Sequence, residues 1–156
     1  MQRMVKLRQN FPSKYEKPED SPGFLLWQVT NSWQRLMPRV LKEIGLTHVQ
    51  FVLLIAVEWL NNAKIPATQK EVSRFANTDV MMTSQVIRAL ERKGLIIRAE
   101  HPTDTRAYLL QVTSQGHQLD LKALELVEFA DENFFKALRS DLAHFVQMLK
   151  TLKGSR

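Results

Sequence analysis

The stretch from Asn77 to Val112 constrains the fold more than any other part of the chain. In its first half, residues suited to an interior recur at i, i+3, i+4 and i+7, which predicts an amphipathic helix. The residues of this inner face are Thr83, Val86, Ile87 and Leu90. The opposite face is polar and basic, with Ser84, Gln85, Arg88 and Arg92. The pattern therefore predicts a surface helix whose exposed face can form hydrogen bonds.

The second half of this stretch predicts a β-ribbon. Gly94 suits the left-handed conformation that ends a helix, and the runs 95–97 and 108–112 are rich in the branched and aromatic residues of strands. The polar residues 101–106 form a tip that is too long for a two-residue hairpin turn. A helix followed by such a ribbon is typical of a winged helix-turn-helix. The predicted fold class is therefore mainly α with a small β-wing (α+β).

The side chains of the predicted helix match the chemistry of DNA recognition. An α-helix fits the major groove, where Ser, Gln and Arg can hydrogen-bond base edges. The predicted base-reading residues are Ser84, Gln85 and Arg88, with Thr83 and Met81 at the margin. Arg106 at the ribbon tip suits the narrow, negative minor groove of A·T-rich DNA. An ordinary solvated helix face is the alternative, and the same scaffold also serves as a protein-interaction module.

Four motifs, in this order, resemble the MarR family of winged-helix transcriptional regulators. They are GLTHVQFVLL at 45–54, LERKGLIIR at 90–98, DTRA at 104–107 and LLQVTSQG at 109–116. The resemblance covers a little under half of the chain, and Val112 stands where the last motif of the family has a second Leu. It implies that Asp104 orients Arg106 in the wing, and that the terminal helices form a dimer interface.

The chain departs from the family pattern at two further positions. Met81 and Met82 stand where many members have small hydroxyl residues, and packing on thymine methyls and packing on the core both remain open. The resemblance also implies a pocket for a small aromatic effector near Trp27 or Trp33. Core or dimer contacts are the alternative role for these two tryptophans.

The positive charge of the chain is uneven. There are 22 Lys and Arg against 16 Asp and Glu, which gives a net charge of +6. Residues 64–112 carry eight basic and five acidic side chains, whereas 113–156 carry six of each. A phosphate-binding surface requires such an excess of positive charge on the part of the chain that contacts DNA. The expected phosphate contacts are Gln69, Lys70, Ser73, Arg74 and Arg98.

The length of 156 residues predicts one domain. Its expected parts are a flexible arm at 1–20, dimerisation helices at 21–43 and 113–156, and the DNA-binding module at 44–112. Dimerisation is predicted because apolar residues between 119 and 135 are too widespread for one helical face, and a symmetric homodimer would bury them.

Three local features are also predicted. Pro38 is expected to kink or divide the first helix. Ile65 is expected to form a one-rung strand against the wing. Thr68 is expected to cap a short helix in which Val72 and Phe75 face inward.

The sequence lacks the residues that several classes of function need. There are no cysteines, which excludes disulfides and thiolate metal sites. The four histidines show no metal-ligand spacing, and no glycine-rich phosphate loop or catalytic constellation occurs. We therefore expect neither an enzyme nor a metal or other cofactor. No apolar run approaches the length of a membrane span, and no signal peptide is apparent, so we expect a cytoplasmic protein with no membrane partner.

These observations predict a homodimeric, sequence-specific regulator of transcription. Its expected partners are a pseudo-palindromic double-stranded DNA site, a second copy of itself and a small effector that releases a repressor from DNA. The alternative is a winged-helix protein-interaction module without specific DNA binding.

Overall fold

The computed structural model describes residues 12–101, 103 and 107–154. They divide into two compact units, with the boundary between Arg35 and Leu36. The helices are α1 (Pro22–Leu41), α2 (His48–Asn62), α3 (Gln69–Ala76), α4 (Val80–Arg92), α5 (Ser114–Phe135) and α6 (Leu142–Gly154). The strands are β1 (Ile96–Glu100) and β2 (Tyr108–Val112). Single 3-10 segments occur at Pro18–Asp20, Lys42–Ile44 and Lys136–Asp141. This mainly helical chain with one small sheet confirms the predicted fold class.

Helices α2, α4 and α5 begin where side-chain caps satisfy their first backbone amides. Thr47 accepts a hydrogen bond from the amide of Gln50, whose side chain bonds back to the amide of Thr47 and completes a capping box. Asp79 caps α4 through the amide of Met82, 2.9 Å away. Thr113 caps α5 through the amide of Gly116, 3.0 Å away. Each of these starts follows from the local sequence.

Left-handed residues follow α3 and α4, and a proline lies in the last turn of α1. Gly94 takes the predicted left-handed conformation, with φ of +69°, directly after the cap of α4. Asn77 takes the same conformation, with φ of 52°, in the turn between α3 and α4. Pro38 lies inside α1, which continues through it to Leu41, so it does not divide the helix.

The wing is an antiparallel pair of strands that pair from Ile96 with Val112 to Glu100 with Tyr108. The side chain of Asn61, in the last turn of α2, fixes its base. Its amide nitrogen donates to the carbonyl of Leu110 at 3.0 Å, and its oxygen accepts from the amide of Val112 at 3.1 Å. This asparagine therefore joins α2 to the root of the wing.

A third, one-rung strand pairs with the wing, but Ile65 does not form it. The isolated bridge joins Thr68 to Leu109, and the amide of Leu110 donates to the carbonyl of Ala67 at 2.9 Å. The prediction for Ile65 is wrong because the chain reaches the edge of the sheet three residues later, at Thr68. Ile65 itself is exposed.

The core of the second unit is aliphatic. Its fully enclosed side chains include Met37, Leu41, Leu53, Leu54, Val57, Val72, Ile87, Leu90, Leu95, Ile96 and Leu110. Phe75 was predicted to face this core, but it is exposed and packs on Trp59, with ring centroids 5.5 Å apart. Val72 already fills the inward position of the short helix, so the larger ring turns outward. The prediction for Phe75 is therefore wrong.

The first unit, described by itself, consists of a 3-10 turn and most of α1. Phe24 and Trp27 stack one helical turn apart, with centroids 6.2 Å apart and planes 9° from parallel. Leu25, Leu26 and Val29 are exposed as well. Among the described residues no single helix is long and apolar enough to cross a membrane; one bent pair, Pro22–Ile44 with His48–Asn62, meets that test of length and composition only jointly.

Candidate nucleic-acid interface

The exposed face of α4 carries the predicted base-reading side chains. Gln85 and Arg88 are exposed and Ser84 is half-buried. Their spacing of i, i+1 and i+4 places them within one side of the helix. On the opposite side, Ile87 and Leu90 are fully buried. The helix is thus anchored by its apolar face and presents an amide and a guanidinium to an external partner.

Thr83 does not belong to this face. It is 0% exposed, and its hydroxyl donates to the carbonyl of Asp79 at 2.7 Å and lies 2.8 Å from the hydroxyl of Thr78. The residue type favoured a base contact, but the helical position requires burial, and hydrogen bonds within the turn make that burial tolerable. We therefore remove Thr83 from the base-reading set.

The first helix of the motif contributes fewer phosphate candidates than expected. Ser73 is almost fully buried, and its hydroxyl donates to the carbonyl of Thr78 at 2.7 Å. Its role is to hold the turn between α3 and α4, so the predicted phosphate contact is corrected. Lys70 and Arg74 are exposed and lie four residues apart on one face, and Gln69 is half-buried. Arg74 also bonds Glu71 at 2.6 Å.

Arg98 on β1 is already engaged on the protein surface. Its Nε lies 2.8 Å from Oε1 of Glu91 on α4, and its guanidinium stands over the ring of Tyr108, 5.7 Å from the centroid. A phosphate contact by Arg98 would compete with Glu91. The two wing-tip residues of the prediction, Asp104 and Arg106, lie outside the described residues.

The predicted effector residues lie on α1. Trp27 is 63% exposed, and Trp33 is half-buried. Within the second unit, an open cavity of about 430 Å³ lies beside the first turn of α2. Its lining includes Lys42, Lys93, Leu46 and His48. Burial lowers the pKa of His48, and the nearby carboxylate of Asp131 opposes that shift.

Sequence reasoning missed a buried acidic pair between α2 and α5. Asp120 is 1% exposed, and its carboxyl lies next to that of Glu58. His117 contacts Oε1 of Glu58 through Nδ1. Among the described residues, neither carboxyl oxygen of Asp120 has a hydrogen-bond partner, and Oε2 of Glu58 has none either.

Burial, followed by the Glu58 carboxyl, raises the pKa of Asp120 to about 8. A signal for this pair was present in the sequence. Asp120 falls in the helical series Gly116, Asp120, Ala123, Val127 and Ala130, all of which are buried. Among the described residues, no group of three or more His, Cys, Asp or Glu side chains is arranged to hold a metal ion.

Comparison with known proteins identifies relatives of this chain. The MarR family profile matches residues 46–108. The chain is 46% identical over 125 residues to YdcH of Bacillus subtilis (strain 168), described as an uncharacterized HTH-type transcriptional regulator. That match covers 80% of this chain and 85% of YdcH.

Solved structures share the fold. BpsR of Bordetella bronchiseptica, whose DNA binding is described as regulated by 6-hydroxynicotinic acid, superposes with a TM-score of 0.81 at 21% identity, over 92% of this chain and 100% of that one. The repressor CouR of Rhodococcus jostii RHA1, bound to a 23-mer DNA duplex, superposes with a TM-score of 0.78 at 21% identity, over 92% and 99%. At this identity the likeness establishes the fold alone.

Proposed function

This chain belongs to the MarR family of transcriptional regulators, and we propose that it is a cytoplasmic, homodimeric repressor that binds a specific double-stranded DNA site. The observation that carries this proposal is the exposed face of α4, where Gln85 and Arg88 stand opposite a fully buried apolar face. Gln85 has both a donor and an acceptor for base edges, and Arg88 has donors that suit the acceptors of guanine. Family membership also identifies the chain as a regulator rather than an enzyme.

The DNA contacts are proposed from this geometry. Ser84, Gln85 and Arg88 read bases in the major groove. Lys70 and Arg74 on α3, together with Gln69 and Arg98, contact phosphates, which fix the register of the helix without reading sequence. For the wing, the resemblance supports a minor-groove contact by Arg106 that Asp104 orients.

Dimerisation is proposed through the helices outside the winged module, at 21–43 and 113–156. Exposed apolar side chains on α5 and α6 support it, because an isolated chain would leave them in water. They include Leu121, Phe129, Leu142, Val146, Met148, Leu149 and Leu152. A two-fold dimer would present its two α4 helices to half-sites about 34–36 Å apart, which requires a pseudo-palindromic operator.

Release by a small molecule is proposed by analogy with BpsR and its 6-hydroxynicotinic acid. Small aromatic acids are the first compounds to test, near Trp27 or Trp33. The cavity beside Lys42 and Lys93 is a second location that suits a carboxylate. The chain has three tryptophans, so fluorescence quenching in Trp27→Phe, Trp33→Phe and Trp59→Phe variants would locate the ligand. A Lys42→Gln variant would test the cavity.

Selection of bound sequences from random duplexes tests the central proposal. The expected result is one pseudo-palindromic site that the protein prefers over a scrambled duplex at physiological salt. Binding without a preferred site, abolished by salt, would instead support a winged-helix module that does not recognise a DNA sequence.

A further inference from the structure

The first turn of α4 exposes apolar side chains in the middle of an otherwise polar surface. Met81 is 73% exposed, and its neighbours Val80 and Met82 are 59% and 39% exposed. Large apolar side chains in water contribute nothing to folding. A partner that covers them would recover that free energy.

Met81 is not a displaced core residue. The turn is fixed by Asp79, which caps it through the amide of Met82, and by Thr83, which is fully buried and bonded to the carbonyl of Asp79. Because successive residues of a helix are about 100° apart, Met81 lies about 200° from Thr83 and therefore points away from the core. The interior position of this turn is already filled by Thr83.

Met81 lies instead on the exposed face of α4 that is proposed to read bases, which we call the reading face. Met81, Ser84, Gln85 and Arg88 follow the spacing i, i+3, i+4 and i+7, which is one continuous stripe along a helix. Val80 and Met82 lie about 100° to either side of this stripe. The basic side chains Arg88, Lys70 and Arg74 on the two helices of the motif favour a polyanionic partner over an apolar protein surface.

Within the major groove, thymine is the only base with a methyl group, which lies at C5 beside the O4 acceptor. Adenine, guanine and cytosine are distinguished there by their hydrogen-bond donors and acceptors. The N-terminal residues of a recognition helix are those that contact base edges, and Met81 is the second residue of α4. A flexible thioether side chain adapts its shape to such a methyl group.

We propose that Met81 reads a thymine in each half-site by packing on its C5 methyl group. This rests on the proposed function, because it names a base that the same helix recognises. Gln85 and Arg88, one and two turns further along the stripe, read neighbouring bases through hydrogen bonds. The operator therefore contains a thymine whose methyl group contributes to affinity.

Substitution of deoxyuridine for thymidine tests the proposal, because it removes the methyl group and leaves base pairing unchanged. Each thymine of the selected site is replaced in turn, symmetrically in both half-sites, and affinity is measured for the full-length protein. One position is expected to weaken wild-type binding about fourfold per half-site, the value of one buried methyl group. Met81→Ala is expected to bind the thymine site as weakly as the wild type binds the uracil site, and to lose sensitivity to this replacement.

Two matched variants separate this contact from a general loss of packing. Met82→Ala makes the same change one position away, off the stripe, and is expected to keep the sensitivity to uracil. Met81→Leu retains an apolar side chain and is expected to keep most of the sensitivity to the uracil replacement. Alanine is favourable in an exposed helix, so thermal unfolding of Met81→Ala should match that of the wild type.

The failure of this inference differs from the failure of the proposed function. A preferred site at which no replacement of thymine by uracil weakens binding would show that Met81 does not read the methyl group. The same conclusion would follow if the replacement weakened the binding of Met81→Ala as much as that of the wild type. If no preferred site emerges from selection, the proposed function fails, and the inference fails with it.

Discussion

Gly116 stands where no side chain fits. A Cβ atom built on it would lie 2.1 Å from the carbonyl oxygen of Leu95 and 2.9 Å from a methyl group of Val112. The first turn of α5 therefore packs directly on the backbone at the root of the wing. This contact gives a physical reason for the glycine that follows the capping Thr113 by three residues.

Gly116→Ala is expected to lower the free energy of unfolding by about 1–3 kcal/mol, the usual cost of overpacking. The nearest atom is the backbone carbonyl oxygen of Leu95, which cannot move aside as a flexible side chain would. Urea unfolding measures the change. The control is Gly23→Ala, where nothing lies within 4 Å of the new Cβ and stability should stay the same or rise slightly. Equal stability of both variants would contradict the packing argument.

Arg88→Ala is expected to relax base preference at one position per half-site. Arg88 is exposed on the reading face of α4, and a bidentate arginine–guanine pair contributes about 1–3 kcal/mol of discrimination. Binding titrations against the selected site and its single-base variants measure this. An unchanged preference at every position would exclude Arg88 from base reading.

Arg106→Ala is expected to fail differently, by lowering affinity broadly rather than at one base. The minor groove displays a degenerate pattern, so a wing arginine contributes mainly charge and a preference for A·T flanks. The slope of log affinity against log salt should fall by about 1. Asp104→Ala should act in the same direction but more weakly. Wild-type salt dependence in Arg106→Ala would argue against a wing contact.

At the scale of elements, the contact between α2 and α5 encloses a carboxyl group whose pKa is raised by burial. Asp120 has an ordinary pKa of 3.8 when unfolded and about 8 in the fold, so the folded state holds a proton that the unfolded state has lost. Its contribution is fully present below pH 3.8, weakens as pH rises, and is lost above about 8. The slope for one proton is at most about 1.4 kcal/mol per pH unit.

Stability is therefore expected to fall between pH 5.5 and pH 8.5, and Asp120→Asn should flatten that dependence. The amide is neutral at every pH and retains an N–H donor for Glu58. Urea unfolding at both pH values measures the effect, with Asp141→Asn at an exposed position as the control. If Asp120→Asn keeps the wild-type pH dependence, Asp120 is not the group responsible for it.

Sequence patterns predicted the elements better than the environment of single residues. Thr68 caps α3 as expected, because a cap depends only on residues within one turn. Thr83, Ser73 and Asp120 are polar residues at interior positions, and their roles depend on carbonyl and carboxyl groups that only the folded turn or a distant helix supplies.

The position of the one-rung strand shows the same limit. Thr68 rather than Ile65 reaches the sheet, because the length of the path from α2 decides the pairing and β-propensity does not. Phe75 faces outward for a similar reason, since Val72 had already filled the interior of a two-turn helix. Periodicity predicts which face is buried, but not how much space lies beneath it.

At the scale of the whole molecule, DNA recognition and dimerisation are proposed to be inseparable. In the proposed dimer each α4 reads one half-site, and a single half-site contact has only half of the base and phosphate interactions of the operator complex. The apolar side chains on α5 and α6 lie outside the winged module, so a change there tests assembly without altering the reading face. Phe129 is the clearest of them, at 68% exposure on α5.

Phe129→Asp is expected to produce a folded monomer that loses most of its affinity for the operator. The ring is not part of the core of the isolated chain, so the circular dichroism spectrum should stay the same. In the proposed dimer, however, the variant buries an unpaired carboxylate, which is costly. Analytical ultracentrifugation measures assembly, and titration against the full operator and a single half-site measures binding. Deletion of 140–156, which removes α6, should disrupt assembly more severely and lead to aggregation or monomers.

The matched control is Ile65→Asp, which places the same charge on an exposed apolar residue of the loop between α2 and α3. It should remain dimeric and bind the operator as the wild type does, because that residue lies outside the proposed interface. The affinity of Phe129→Asp for a single half-site should equal that of the wild type, since its α4 is intact. A Phe129→Asp protein that still sediments as a dimer would place the interface elsewhere. A monomer with full operator affinity would separate recognition from dimerisation.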